Sequence, residues 1–378
     1  MLASGDTLLQ AGPCTLSLCL EIMDLHGDTP STAMPSDARL RRIPLNVLFG
    51  IPDRDRGSIR VSPDARRVHV GPGSGEHPSA TLHGSANLAP FLSQTRFALN
   101  RYFLQAGAGI RVRLGPGALL NHIADPDLCS GALAIVSAII KQSGRPCFNH
   151  PAAVARTTRD GVARLLADIP GLTVPKTIRV NGGSPDAVRA AALDAKLSYP
   201  ILVRVAGSHG GKERVRIERS DAFGKIGQLN HGEHALYLTE FHDFASPDGL
   251  YRKQRLVLVG EKIFLRQCIL GTDWSLHGRR AVGQADEEEE HAHNTFASEW
   301  LPAIEPVFRE MQRRLRLDFF GVDCHIDSSR NVLLFEANPC MKVLANFRPR
   351  PNRLEAPIKR IKDAIERRLA SPETWFHG

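Results

Sequence analysis

The sequence lacks the features that mark several specialised classes of protein. No apolar run approaches the roughly 20 residues that a membrane-spanning helix requires, and the N-terminus has no charged start before an apolar stretch, so it is a poor signal peptide. The seven cysteines are scattered, odd in number and never spaced as CxxC, which argues against a disulfide framework and a zinc site. We therefore predict a reduced, cytoplasmic protein with no membrane partner.

Long basic blocks are absent as well. The 48 Lys and Arg residues exceed the 40 Asp and Glu residues and the net charge is +8, but no block of five basic residues occurs and aromatic residues do not alternate with basic ones. Nucleic acid is therefore not the expected partner. The same excess of positive charge would suit a cleft that binds nucleotide phosphates. The 378 residues suffice for two or three domains with proper cores.

The first part of the chain has the pattern of a small α/β domain. Residues 1–40 carry Pro, Ser, Gly and Asp without periodicity, and we predict a poorly structured N-terminal extension there. Four elements are then expected in turn: a strand at Ile43–Pro52, an amphipathic helix over 90–105, a strand at Ile110–Leu114 and a helix at Ser130–Lys141. Alternating strands and helices favour a partly parallel sheet.

The rest of the chain predicts further helices and strands. Helices are expected around 154–169, 185–196, 298–315 and 353–369, and strands at 173–180, 201–205, 215–218, 235–241, 255–259 and 262–267. The acidic run Asp286–Glu290 opens another helix, and we interpret it as a solvated face. The last helix has an apolar stripe on one side, which is typical of a helix that packs against the core of the protein. His291 and His293 are two apart, do not share a helix face and are interpreted as surface residues.

A charged residue lies inside one of these apolar strands. Arg204 stands between Val203 and Val205, and the glycine-rich segment Gly207–Lys212 follows. A buried guanidinium is costly unless it meets an opposite charge, and a phosphate chain would supply that charge. The glycines would allow backbone N–H groups to approach phosphate oxygens. Glycine-rich hairpins without such a role are also common, so this loop does not decide the matter alone.

The most informative stretch is 317–338, LDFFGVDCHIDSSRNVLLFEAN. It predicts a hairpin in which Asp323 on the first strand faces Glu336 and Asn338 on the second, since residues two apart share one face of a sheet. Three oxygen ligands on a rigid hairpin suit a hard cation whose shell is completed by phosphates. The alternative is a surface hairpin with ordinary acidic residues.

Four features follow one another along the chain: the basic strand with its glycine loop, the strand ending in Glu240, the Arg255 hairpin and the Asp/Glu/Asn set. In their order and spacing they resemble the ATP-grasp superfamily. Within it they are most similar to glutathione synthase and RimK-like carboxylate–amine ligases. The resemblance covers about 149–350, and its most specific parts are GVDCHID and FEANP. It implies an α/β (α+β) ATP-grasp fold. We expect a pre-grasp domain over 41–148, a small lobe over 149–235 and a large lobe over 236–378, the two α+β lobes clamping ATP.

The resemblance also implies roles for residues around the nucleotide. Arg204 and Arg159 take the places of two phosphate-contacting lysines, which keeps the charge but replaces an ammonium with a planar guanidinium. The loop over the phosphates would consist of Gly207, Ser208, His209, Gly210 and Gly211. Backbone groups at Glu240 and Phe241 would read the adenine edge. The ribose-binding carboxylate that the family often has is missing at Lys253-Gln254, and Asp248 is the candidate to replace it.

The resemblance also implies which residues take part in phosphoryl transfer and which bind the metal. The resemblance implies that Arg255, with Arg266, contacts the transferred phosphoryl group, and that Asp323, Glu336 and Asn338 bind Mg²⁺, with Mn²⁺ as an alternative. Trp274 and His277 either line the acceptor pocket or pack in the core. No Cys or Ser nucleophile is required.

The implied activity is an ADP-forming ligase that joins a carboxylate to an amine through an acyl phosphate. Its substrates would be a small-molecule or peptide acid and an amine. The sequence leaves open whether the protein forms a homodimer. Two alternatives remain: a phosphotransferase acting on a small-molecule hydroxyl, and a nucleotide-binding module without turnover that serves a regulatory role.

Overall fold

The computed structural model describes residues 42–53, 58–61, 68–71, 86, 88–106, 112–208, 213–232, 234–276 and 285–377. The chain divides into two compact units. The first comprises Met1–Ala155, Pro339–Leu344 and Lys362–Gly378, and the second Arg156–Asn338 and Ala345–Ile361. The N-terminal extension expected over 1–40 lies outside the described residues.

The described residues of the first unit form a parallel sheet, two helices and the end of a third helix. Its elements are β1 (Ile43–Gly50), β2 (Ser58–Val61), β3 (Val68–Gly71), β4 (Phe97–Leu104), β5 (Ala118–Asn121), α1 (Ser130–Ser143), β6 (Cys147–Phe148) and α2 (Pro151–Val154). The sheet has the order β4-β1-β5-β6 with all neighbours parallel, while β2 and β3 form a separate antiparallel pair. Strand β1 is central and buried from Leu45 to Gly50, which explains why Asn46 is the only polar side chain in this strand. Gly144, at a φ of 65°, ends α1 as predicted.

The helix predicted over 90–105 is wrong. A single 3₁₀ turn occupies Ala89–Phe91, and Phe97–Leu104 is strand β4, which pairs with β1 along its whole length. Phe97, Tyr102 and Phe103 are almost fully buried. Aromatic side chains fit a pleated, buried surface well, and pairing with β1 satisfies the backbone, so tertiary packing overrides the helix-like spacing. At the predicted strand Ile110–Leu114, the described residues 112–114 form only an isolated bridge at Arg113.

The second unit contains a four-stranded and a five-stranded sheet and, among the described residues, most of the helices. In chain order its elements are α3 (Arg159–Leu166), β7 (Leu172–Thr173), β8 (Thr177–Val180), α4 (Pro185–Asp194), β9 (Ile201–Val205), β10 (Arg214–Ile217), β11 (Leu236–Glu240), β12 (Tyr251–Val259), β13 (Lys262–Gly271), α5 (Ala285–Thr295), α6 (Leu301–Leu315), β14 (Phe319–Ile326), β15 (Val332–Asn338) and α7 (Glu355–Leu369), the last of which continues into the first unit. The order of one sheet is β10-β9-β11-β8, and that of the other is β13-β12-β14-β15-β7. Neighbouring strands are antiparallel, except that β15 and β7 are parallel.

Capping explains where the helices of the second unit begin. The Thr158 hydroxyl accepts from the Gly161 N–H at the start of α3, and the Ser184 hydroxyl accepts from the Ala187 N–H at the start of α4. The cap at Thr158 also corrects the single helix predicted around 154–169, because the chain leaves helical geometry before Thr158 and starts a new helix after it. Among the described residues no helix is long and apolar enough to span a membrane.

The interpretation of Asp286–Glu290 as a solvated face is wrong for Glu289. Its side chain is only 1% exposed. Its carboxylate accepts hydrogen bonds from the guanidinium of Arg348 and from the Cys268 N–H. A buried carboxylate is stable only when it is paired in this way, so α5 is fastened both to β13 and to the segment after β15. His293 is likewise half-buried rather than at the surface.

Candidate active site

The second unit holds a cavity of about 240 Å³ between side chains of its two sheets. Nine of the residues singled out in the sequence line it: Arg159, Arg204, Glu240, Phe241, Arg255, Trp274, Asp323, Glu336 and Asn338. The walls therefore combine cations, carboxylates and aromatic rings contributed by six different strands, α3 and the turn after β13.

Strand alternation brings Arg204 to this cavity. Ile201, Val203 and Val205 of β9 are buried in the core under α4, whereas Leu202 and Arg204 lie on the opposite face and line the cavity. Within the described part of the chain the Arg204 side chain has no hydrogen bond or ion pair. Burial, with the neighbouring charge of Arg159, lowers the pKa of Arg204 to about 9. The charge of Glu336 opposes this shift, and Arg204 is still a cation at neutral pH.

The β14–β15 hairpin has the predicted geometry. Asp323 pairs with Glu336 across the ladder and Gly321 pairs with Asn338, so the three oxygen-bearing side chains share one face. A β-bulge after Asp323 shifts the register towards Cys324. Bulges of this kind re-aim side chains beside functional sites.

Asp323 is held by two cations from the neighbouring strand β12. Arg255 donates to both carboxylate oxygens, at 2.7 and 2.8 Å, and the Lys253 ammonium lies 3.3 Å from Oδ2. Burial alone would raise the pKa of Asp323, but Arg255 and Lys253 outweigh it and lower the pKa to about 2. The carboxylate is therefore ionised at all physiological pH values.

Glu336 has a similar but separate set of contacts. The Arg159 guanidinium donates to its Oε1 at 3.0 Å and to the Phe335 carbonyl at 3.4 Å. The Asn338 amide also donates to Oε1. Arg159 begins α3 and thus connects this helix to the hairpin.

Two aromatic rings and Arg214 form a further part of the wall, and Arg216 packs on one of these rings. The Phe241 and Trp274 ring centroids are 5.3 Å apart in an edge-to-face arrangement. The guanidinium carbon of Arg214 lies 4.6 Å from the Trp274 centroid, and that of Arg216 lies 4.0 Å from the Phe241 centroid. Trp274 thus faces the cavity while it packs against its neighbours.

The backbone at the end of β11 is partly engaged. The Glu240 N–H donates to the Lys176 carbonyl and the Phe241 N–H to the Pro200 carbonyl, at 3.0 and 2.8 Å. The Glu240 carboxylate accepts from the Ser198 N–H. No acceptor among the described residues takes the N–H of His242, which also lines the cavity. An N–H for a ligand at this position therefore comes from His242 rather than from the two residues before it.

Several predicted residues are not brought to the cavity wall. Arg266 is buried and donates to the Ala345 carbonyl at 2.8 Å. Asp248 forms a bidentate pair with Arg252 outside the cavity, at 2.9 and 2.7 Å. Gly207 adopts a φ of 75°, which favours glycine, and the Ser208 hydroxyl donates to the Val205 carbonyl. His209, Gly210, Gly211 and His277 lie outside the described residues.

The sequence interpretation missed Lys253 and Arg214 as parts of the cavity. Lys253 is two residues before Arg255 on one strand and therefore shares its face, which is a signal that could have found it. Arg214 lies directly opposite Arg204 in the β9–β10 ladder. This pairing could not be predicted from the sequence, because the register of the two strands depends on the conformation of the glycine-rich loop between them.

The donor set of the hairpin fits a hard divalent cation. Asp323 and Glu336 supply carboxylates and Asn338 supplies an amide oxygen, which are ligands that Mg²⁺ and Mn²⁺ prefer. No group of three or more His, Cys, Asp or Glu side chains suited to a metal occurs among the described residues. Any metal bound here would therefore depend on Asn338 and on oxygen atoms from a ligand.

Comparisons with known proteins agree with this architecture. No protein-family model and no curated protein matches the sequence. Among solved structures, the VanG D-Ala:D-Ser ligase from Enterococcus faecalis is similar over 88% of this chain and 99% of its own, with 11% identity and a TM-score of 0.51. The D-alanine-D-alanine ligase from Coxiella burnetii matches over 88% and 97%, with 9% identity and a TM-score of 0.50.

A more distant similarity covers only part of the chain. It is to a carboxyaminoimidazole ribonucleotide synthase from Aspergillus clavatus complexed with ATP, over 59% of this chain and 53% of that chain, with 12% identity and a TM-score of 0.39. This chain thus spans about half the length of that synthase. At these identities the likeness concerns the fold alone. The mixed α/β chain has the ATP-grasp fold that the sequence predicts.

Proposed function

We propose that the protein is an ATP-dependent, ADP-forming ligase that joins a carboxylate to an amine. The observation that carries this proposal is the charge of the cavity wall. Five cationic side chains line it against three carboxylates. One of the carboxylates, Glu240, already accepts the Ser198 N–H, and within the described residues Arg204 makes no hydrogen bond or ion pair. A polyanion such as a nucleoside triphosphate would supply the missing negative charge.

In this proposal the nucleotide lies between the two sheets of the second unit, which are the small and large lobes. Arg204 and Arg159 bind its phosphates, and the loop that begins at Gly207 covers them. The adenine edge meets the backbone after β11, where the His242 N–H donates. Phe241 and Trp274 supply apolar ring surface beside the base or the acceptor. Asp248 is not included, because it is paired with Arg252 away from the cavity.

The chemistry follows from the charges of the cavity. A substrate carboxylate oxygen attacks the γ-phosphorus and ADP leaves, which forms an acyl phosphate. The amine then attacks the acyl carbon, loses a proton and expels inorganic phosphate. Crowding a carboxylate against a triphosphate is unfavourable, and Arg255 lowers this cost by opposing the accumulated negative charge. A magnesium ion held by Asp323, Glu336 and Asn338 would neutralise further charge on the phosphates.

The two substrates are proposed only as classes: a small-molecule or peptide acid and an amine, joined in the cytoplasm. Because no covalent protein nucleophile takes part, the chain needs only to orient the reactants and to exclude water from the acyl phosphate. The buried thiols of Cys268 and Cys324 agree with this, since burial raises the pKa of both and keeps them protonated.

Trapping with hydroxylamine tests the proposal. The protein is incubated with Mg²⁺, ATP and pooled carboxylic acids, with and without hydroxylamine, and ADP and hydroxamate are measured. A ligase produces hydroxamate together with ADP, because hydroxylamine intercepts the acyl phosphate. A stable phosphorylated product without hydroxamate would instead identify a phosphotransferase. Failure of the protein to bind ATP would overturn the proposal altogether.

A further inference from the structure

Lys253 is the second cation that contacts Asp323. The Lys253 ammonium is 3.3 Å from Oδ2 of Asp323 and donates to the Leu276 carbonyl at 3.1 Å. Its side chain is 12% exposed and that of Asp323 is 7% exposed. The contact is therefore shielded from water, where ion pairs are stronger than at the surface.

The two cations leave the Asp323 carboxylate poorly available to a metal. Arg255 uses both oxygens, and Lys253 places a full positive charge beside one of them. A divalent cation that approaches alone would be repelled by both groups and would have to displace at least one of them. Glu336 is paired with one cation, Arg159, through Oε1.

A phosphate chain changes this balance because it offers the cations another anion. Lys253, Arg255 and Arg159 all line the cavity in which we place the triphosphate. Lys253 is the most easily transferred of the three, since a lysine has a flexible stem and a single charged atom, whereas Arg255 is held through two parallel hydrogen bonds.

We propose that Lys253 is a positioning residue that makes metal binding at Asp323 depend on the nucleotide. Without nucleotide, Lys253 neutralises Asp323 and opposes metal binding; with nucleotide, it moves to the phosphates and leaves the carboxylate to the metal. This inference rests on the proposed function, because it assumes that the cavity accepts a triphosphate.

The first measurement uses the metal alone. Binding of Mn²⁺ to the full chain without nucleotide is followed by electron paramagnetic resonance for the wild type, Lys253→Met and Lys253→Gln. Both variants remove the charge, and Lys253→Gln keeps an N–H donor for the Leu276 carbonyl, which protects the fold. We expect both to bind Mn²⁺ about tenfold more tightly than the wild type, because one repelling charge is gone.

Two further variants serve as controls. Lys225→Met removes an exposed lysine from the same unit. If the loss of any positive charge were enough to tighten Mn²⁺ binding, this variant would show the same gain in affinity as the Lys253 variants; we expect no such gain. Lys253→Arg retains the charge and should keep the weak Mn²⁺ binding of the wild type. Tight Mn²⁺ binding by the arginine variant would show that something other than charge is responsible, and would overturn the inference.

The second measurement uses a non-hydrolysable ATP analogue in the presence of EDTA, followed by calorimetry. The analogue should bind Lys253→Met and Lys253→Gln about fivefold more weakly than the wild type, since a phosphate partner is lost. The two affinities thus change in opposite directions, which a merely structural role of Lys253 would not produce. Unchanged Mn²⁺ affinity, or unchanged analogue affinity, in both variants overturns the inference. Absence of analogue binding to the wild type, with or without metal, instead overturns the proposed function.

Discussion

Arg204 illustrates how one residue can be unfavourable for folding and favourable for binding. Its guanidinium is half-buried on the cavity face of β9, where burial, Arg159 and Arg214 disfavour the charge and Glu336 favours it, and it makes no hydrogen bond or ion pair within the described residues. Sites of this kind commonly trade stability for function. The strand alternation that places it there is visible in the sequence, whereas the lack of a partner is visible only in the fold.

We predict that Arg204→Met raises the free energy of unfolding by about 1 kcal/mol and weakens nucleotide binding. The methionine fills similar volume without a charge that burial and two neighbouring arginines disfavour. Urea unfolding and calorimetry with the ATP analogue measure the two effects. Arg219→Met, which removes an exposed arginine paired with Asp221, is the matched control and should change neither quantity appreciably. Loss of stability in Arg204→Met would contradict the prediction.

Glu336 is the residue on which the metal assignment is most directly tested. We predict that Glu336→Gln lowers ADP formation about 100-fold or more, since charge stabilisation at the phosphates is lost, while the fold is retained. The amide can still accept from Arg159 and Asn338. Glu305→Gln, which changes an exposed acid of α6 paired with Arg309, is the control. Turnover equal to that of the wild type would refute the assignment of Glu336 as a metal ligand.

At the scale of elements, helix α5 is attached by a buried ion pair to the segment that follows the β14–β15 hairpin. The Glu289 carboxylate is almost fully buried and pairs with Arg348, a residue of the segment that follows β15. Arg266 of β13 donates to the Ala345 carbonyl in the same segment. This gives Arg266 a structural contact, and its predicted role in phosphoryl transfer stays a prediction.

We predict that Glu289→Gln destabilises the protein by about 3 kcal/mol, because it leaves the Arg348 charge without its buried partner. The double variant Glu289→Gln/Arg348→Met should recover much of this loss, since both charges are then absent. Urea unfolding of the two single variants and the double variant gives the coupling energy. Strictly additive effects would mean that the ion pair contributes nothing.

At the scale of the whole molecule, the pH dependence of stability is expected to depend on His122 in the first unit. This imidazole is fully buried, accepts the Ala89 N–H at Nε2 and packs edge-on against Phe49. Burial lowers its pKa from 6.5 to about 3. Between these values the unfolded chain binds a proton that the folded chain does not, so stability is lost as the pH falls below 6.5.

The expected loss is about 1.4 kcal/mol for each pH unit below 6.5. Unfolding of the wild type and of His122→Gln, measured from pH 7.5 to 4.5, tests this. The glutamine variant should be less stable at neutral pH but should lose less stability as the pH falls. Carboxylates with lowered pKa values, such as Asp323, contribute their loss only below about pH 4. An equal slope in both proteins would refute the role of His122.

The sequence by itself determined the faces of the site strands. Arg204 opposes Val203 and Val205 across β9, and Glu336 and Asn338 share a face of β15, because alternation with a period of two residues is a local property of any strand. The order of these patterns along the chain resembles that of the ATP-grasp superfamily, and this resemblance predicted the fold. The prediction failed at 90–105, because the apolar residues there have a helix-like spacing but Phe97–Leu104 pairs with β1 as strand β4.

Only the tertiary structure decided which charges meet. Arg255 and Asp323 are 68 positions apart, and Arg159 and Glu336 are 177 apart. No local pattern records such a distance, because partners are chosen by the order of strands in a sheet and by the packing of helices on it. For the same reason the fold, and not the sequence, separated Asp248 and Arg266 from the cavity and brought Lys253 to the carboxylate of Asp323.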